Sequence, residues 1–171
     1  MSTPIQKLIE DYKDLQNILV GNGEISSSII VNEHYRKIFL LSCASFYETE
    51  ILEIIRRFVI KNSKDNRVFE FLNKKAIQRQ YHTYFNWDQT NNINQFLSCF
   101  GEKFKNKISD EIKKDENLAR YVKSFLIIGS ERNKMVHGNF LEYKLEKTFE
   151  EIISLYNDAN QFIEYLKKIF E

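Results

Sequence analysis

The chain has 171 residues, of which 43% are hydrophobic and 14% aromatic; a single core at this length buries about 70% of the surface the unfolded chain exposes, enough to fold without disulfides or a structural metal. With 29% charged residues, one Pro and five Gly, the composition excludes collagen-like, Pro-rich and broadly disordered chains and points to long helices. Lys plus Arg total 25 against 24 acidic residues, a net charge of +1, which excludes coating by nucleic acid through bulk electrostatics, so that any nucleic-acid contact must be local.

The first helix is predicted to start at Thr3 as N-cap, with Pro4 at the first helical position and Gln6 three residues after the cap. Ile5, Leu8, Ile9, Tyr12, Leu15, Ile18 and Leu19 then recur at helical spacing until Gly21-Asn22-Gly23. GNGEISSS reads as a loop. The longest helix is expected from about Asn32 to Lys61, with Ile38, Leu41, Ala44, Ser45, Leu52, Ile55 and Val59 on one stripe and Phe39, Phe46, Ile51, Ile54 and Phe58 widening it. An apolar arc this wide belongs at the centre of a bundle.

Asn62 to Asn66 is a predicted turn, followed by one shorter helix from Arg67 to about Tyr84, a loop around Asn86 to Asn92 and a short helix from about Ile93 to Phe100. The segment KFKNKISDEIKKDE touches the core only through Phe104, Ile108 and Ile112. A helix beginning near Leu118 runs to His137 and stops at Gly138. Thr148-Phe149-Glu150-Glu151 is a capping box opening a last helix whose stripe runs from Phe149 to Phe170. The expected fold is all-α, a single-domain antiparallel bundle of about five to six helices spanning residues 1–171.

Cys43 and Cys99 lack ligand spacing and are expected to be buried free thiols. The start MSTPIQKLIEDYKD has no export signal and no run approaches 18 apolar residues, so a cytoplasmic protein without a membrane partner is expected. His34 and His82 have no partner at metal-ligand spacing, and HExxH, GxGxxG, the P-loop and GxSxG are absent, so neither a metal nor a cofactor is expected.

What remains is RNKMVHG at the end of the helix that stops at Gly138. Five positions at 100° each put Arg132 and His137 about 140° apart on a straight helix. Asn133 and His137, at i and i+4, share a face, and the long Arg132 side chain can sweep toward them. Arg offers a permanent planar fork for phosphate oxygens, and His both takes and gives a proton near neutral pH. Spacing alone is weak, because seven Arg and three His in this chain produce a given Arg-to-His separation by chance about once in eight such sequences. A solvated helix terminus, with His137 favoured by the helix dipole, fits the same residues.

RNKMVHG resembles the R-x4-6-H signature of HEPN domains, including a polar residue directly after the arginine. Together with SFYETEILEIIRRF on the long helix, YFNWDQTNNINQFLSCFGEKF in the middle and the closing helix, it is similar to the RiboL-PSP-type branch over roughly residues 35 to 170. The resemblance implies a helical bundle, commonly dimeric, and in many relatives a metal-independent endoribonuclease of toxin–antitoxin or phage-defence systems. It maps Arg132 and His137 onto the family's catalytic pair and Asn133 onto the neighbouring polar position. The branch paired with nucleotidyltransferase antitoxins has R-x4-H-x-Y; Asn139 stands in place of that tyrosine, which disfavours neutralisation by its AMPylation.

Metal-free RNA cleavage needs an activated 2′-hydroxyl, a stabilised phosphorane and a protonated leaving oxygen. One His and one Arg are too few, so a homodimer pairing two copies of the motif is expected, with RNA as substrate and a cognate antitoxin or defence-system protein as a further partner. Glu48 and Glu50 are candidates to brace Arg132, unless they are simply surface carboxylates. Lys134, Lys75 and Arg79 are candidates to bind RNA. Lys74, Lys75, Arg79, Tyr81, His82, Tyr84, Phe85 and Trp87 interleave basic and aromatic groups as single-strand binders do, although the same aromatics serve to fill a core. The alternative to an enzyme is a catalytically silent HEPN module binding RNA, a nucleotide or a protein partner.

Overall fold

A computed structural model describes residues 3–171, and every regular element among them is helical: α1 (Pro4–Gly21), α2 (Ile25–Asn62), α3 (Asn66–Leu72), α4 (Tyr81–Tyr84), α5 (Asn94–Ser98), α6 (Glu102–Lys114), α7 (Glu116–His137) and α8 (Phe149–Phe170), with a π-helical turn at Asn73–Ile77 after α3. Five of the eight are long and three have seven residues or fewer. Predicted starts that rest on local chemistry are in place. The Thr3 hydroxyl accepts from the Gln6 amide at 3.1 Å. Thr148 and Glu151 form both halves of a capping box, at 3.1 and 2.7 Å. Caps of this kind stabilise a helix by about 1 kcal/mol.

Three local expectations are corrected. GNGEISSS is not a loop: only Asn22 to Glu24 separate α1 from α2, so the long helix starts at Ile25 rather than near Asn32. Ser28, inside α2, donates from its hydroxyl to Gln16 Oε1 at 2.5 Å, and Gln16 Nε2 returns a bond to the Ser28 carbonyl at 3.2 Å; this contact with α1 recruits serines that read locally as loop. The single helix from Arg67 to Tyr84 is broken, because the π turn widens the backbone and Arg79 adopts φ 61 before α4. A left-handed non-glycine residue cannot continue a helix. Cys99 is exposed, since α5 turns it away from the core, whereas Cys43 is fully buried as expected.

α1 and α2 form an antiparallel hairpin in which the Tyr12 hydroxyl bonds Asn32 at 2.7 Å. α7 runs back along α2, with Tyr47 against Phe125 at 5.9 Å. α8 runs parallel to α2: Phe149 meets Phe39 at 4.9 Å, the Tyr47 hydroxyl donates to the Tyr156 carbonyl at 2.8 Å, and Phe170 meets Phe58 at 5.3 Å. The core lies between α2, α7 and α8, with α1 closing one end and α4 to α6 the side. The buried stripe of α2 is offset from the predicted one. Lys37, Leu40, Cys43 and Tyr47 are buried, while Ile38 is 46% exposed.

Lys37 is buried because it has work inside. Its ammonium donates to the carbonyls of Phe140 at 3.2 Å and Leu141 at 3.4 Å and lies 5.5 Å from the Phe140 ring centre. Its neighbour Arg36 donates to the Lys147 carbonyl at 2.8 Å. Two adjacent cations on α2 thus tie down the connection that leaves His137, where backbone carbonyls would otherwise be unpaired. No helix among the described residues is long and apolar enough to cross a membrane.

Candidate functional site

α7 is held by buried Val122, Phe125, Leu126, Ile128 and Met135, which fixes the direction in which its last two turns point. Asp115 caps its start by accepting from the Asn117 and Leu118 amides at 2.9 and 3.1 Å. At its other end the Gly138 amide still donates to the Lys134 carbonyl at 3.0 Å, so the helix does not loosen before the motif ends. Arg132 reaches round without such help: its Nη1 donates to Asn133 Oδ1 at 3.0 Å. This fixes the amide orientation and leaves the Asn133 NH2 group free.

Two adjoining cavities open on either side of Asn133. One, of about 370 Å³, is lined by Arg132, Glu48, Tyr81, Arg79 and His82. The other, of about 510 Å³, is lined by His137, Lys134, Asn86, Asp88 and Gln95. Trp87 and Asn133 line both. Asn133 and His137 are therefore together, as their i, i+4 spacing predicts, and Arg132 stands on the other side of the same amide.

The remaining predicted residues divide. Glu48 shares the Arg132 cavity, yet among the described residues Arg132 has no carboxylate within ion-pair distance. Glu50 is elsewhere, pairing with Lys167 of α8 at 2.8 Å. Arg79 lines the Arg132 cavity, whereas Lys75 is an exposed residue of the π turn and lines neither cavity. Lys134 pairs with Glu131 at 3.0 Å. Glu131 also accepts from the Tyr143 hydroxyl at 2.6 Å. Burial pushes the Glu131 carboxyl up, but the bonds from Tyr143 and Lys134 outweigh it and leave the group below its ordinary range. Glu131 is thereby committed to the loop after α7 and does not compete for Arg132.

Of the interleaved aromatics, Tyr84, Phe85 and Trp87 are buried, as core residues are. The walls of the site nonetheless come from them. The Trp87 indole N–H donates to the His82 carbonyl at 3.2 Å, and its six-membered ring packs against α7 at Gly129. A Cβ at Gly129 would meet Trp87 Cζ3 at 1.9 Å. That contact was not anticipated from sequence; the available signal was a glycine inside a helical pattern, which costs about 1 kcal/mol against Ala and calls for a packing reason. The Tyr81 ring meets Phe85 edge-on at 5.9 Å and lies tilted against Trp87 at 5.5 Å. Burial, then the Glu48 charge, push its phenol up, and Arg132 opposes them; the net rise keeps the hydroxyl a neutral donor.

The arrangement supplies a permanent cation, a neutral phenol, an amide donor and an exposed imidazole around one point of α7. No group of three or more His, Cys, Asp or Glu suited to a metal ion exists among the described residues. The model of one protein family, described as RiboL-PSP-HEPN, matches residues 6–171. No curated protein and no solved structure matches the chain.

Proposed function

The chain belongs to the RiboL-PSP-HEPN family, and from that premise, which carries a nuclease or RNA-related function, we propose that it is a metal-independent endoribonuclease whose site is completed at a homodimer interface. The observation that supports this reading best is the placement of Arg132 and His137 on either side of Asn133, each open to its own cavity. The cation can hold non-bridging oxygens of a phosphate while the imidazole reaches the flanking ribose.

The His137 imidazole takes the proton of the 2′-hydroxyl as that oxygen attacks phosphorus. Arg132, with the Asn133 NH2 group and the Tyr81 hydroxyl, carries the charge that develops on the phosphorane. The bond from phosphorus to the 5′-oxygen breaks, and His137 of the partner copy, protonated, gives its proton to the leaving oxygen. The products are a 2′,3′-cyclic phosphate and a 5′-hydroxyl, and no metal or cofactor enters the balance. A toxin or phage-defence effector held in check by a partner protein is the biological role this activity fits. The rival, a silent module binding RNA, nucleotide or protein, leaves the joint presence of Arg132 and His137 unexplained.

His137→Ala removes the proton-transfer group, a loss of about 10² to 10⁴ in rate, and Arg132→Ala removes a transition-state donor, a loss of about 10² to 10³. Both are measured on single-stranded RNA in EDTA, with circular dichroism unchanged. The double variant falls scarcely below either single one, because residues acting as a unit are not additive. Wild-type cleavage by His137→Ala sinks the proposal. His82 lines the Arg132 cavity, so His82→Ala tests where the second imidazole comes from: a homodimer by sedimentation with His82→Ala still active supports the composite site, and an active monomer, or inactive His82→Ala, overturns it.

A further inference from the structure

The cavity on the His137 side has a chemical character that proton transfer does not use. Its lining includes buried Phe85 and Trp87 together with Asn86, Asp88 and Gln95. Two of these are held in place. Gln95 Nε2 donates to the Thr83 carbonyl at 2.6 Å, which leaves Gln95 Oε1 as the free end. Asn86 Oδ1 accepts from the Asp88 amide at 3.1 Å, which leaves its NH2 group free. Asp88 is exposed, and its carboxylate has no hydrogen-bond partner among the described residues. The cavity therefore offers a fixed donor, a fixed acceptor and an acceptor pair, at a volume of about 510 Å³, within the range of small-ligand sites.

We infer that this cavity is a base-reading subsite for the nucleotide beside the cleaved phosphate, selecting guanine through Asp88 and Asn86. The inference rests on the ribonuclease reading for its ligand class. A carboxylate only accepts, so it favours a base with two adjacent N–H donors. Guanine alone presents them, at N1 and N2, with O6 next to them for the Asn86 NH2 group. Adenine and cytosine set a donor beside an acceptor, and uracil flanks its single N–H with two carbonyls, which a carboxylate opposes. Single-stranded RNA is read in this way, on base edges splayed away from their neighbours.

The test uses four fluorescent 2′-O-methyl oligoribonucleotides that differ only in the central base. They lack the nucleophilic hydroxyl, so binding is read without cleavage. Wild-type protein binds the guanine oligonucleotide about tenfold more tightly than the uracil one, the size of discrimination one bidentate pair supplies. Asp88→Asn, which keeps the shape and exchanges an acceptor for a donor, brings the four within about twofold, with circular dichroism unchanged. Equal wild-type affinities for all four, or a guanine preference that survives Asp88→Asn, overturn the subsite. Cleavage of the 2′-hydroxyl versions separates the two claims. Cleavage with no base preference removes the subsite and leaves the ribonuclease; guanine-selective binding with no cleavage removes the ribonuclease and leaves the subsite.

Discussion

Gly129→Ala sets two effects of opposite sign against each other on α7. Helix propensity alone predicts a gain of about 1 kcal/mol, since Gly in a helix interior is the worse residue by that amount. The added Cβ, however, would lie 1.9 and 2.3 Å from Trp87 Cζ3 and Cε3. The indole cannot retreat freely, being wedged by Phe85 at 5.1 Å and Phe125 at 6.0 Å and tethered through its N–H to the His82 carbonyl. Overpacking of this kind destabilises by about 1 to 3 kcal/mol, and loss of the tether adds about 1. The net is a destabilisation of about 2 kcal/mol, or a fall in Tm of about 4 to 8 °C for a chain of this size. Trp87 is the sole tryptophan, so its emission reports the displacement directly and should shift to the red. RNA cleavage should fall as well, because the indole is a wall of both cavities. A higher Tm with unchanged emission would refute the reasoning, since only the propensity effect would then be present.

Two predictions concern the loop that leaves the motif. Tyr143→Phe should lower stability by about 1.5 to 3 kcal/mol near neutral pH, the size of a hydrogen bond to a charged group. Because Glu131 is depressed in the folded state, its contribution is present above the ordinary carboxylate range and lost as pH falls through the lower folded value; urea melts at pH 7 and pH 3 should show the difference between wild type and variant shrinking in acid. Lys37→Met should leave the carbonyls of Phe140 and Leu141 unpaired, at about 1 to 3 kcal/mol, and hydrogen exchange should report faster amides across residues 139–145. Unchanged exchange there would contradict the clamp.

Features written in a few neighbouring residues were legible in the sequence: the Thr3 and Thr148 caps, the stop at Gly138, the Asn133–His137 face and the family resemblance itself. Features that depend on distant partners were not. Ser26 to Ser28 read as loop because the Ser28–Gln16 contact spans two helices. Lys37 sat outside any apolar stripe because its acceptors lie about a hundred positions later. Hydropathy pattern placed Ile38 inside and could not see that α7, α8 and the following loop take the adjacent face. For the candidate site, residue type, spacing and the family resemblance together singled out Arg132 and His137. The Trp87–Gly129 contact and the amide-and-carboxylate lining were missed, because no local pattern marks where a loop folds back onto a helix.

The most direct measurement is analysis of the ends that wild-type protein leaves on single-stranded RNA in excess EDTA. The account predicts cleavage that persists without divalent cations and fragments bearing a 2′,3′-cyclic phosphate and a 5′-hydroxyl, the products of attack by the neighbouring 2′-oxygen. Cleavage that stops on chelation, or fragments ending in a 3′-hydroxyl and a 5′-phosphate, would contradict it.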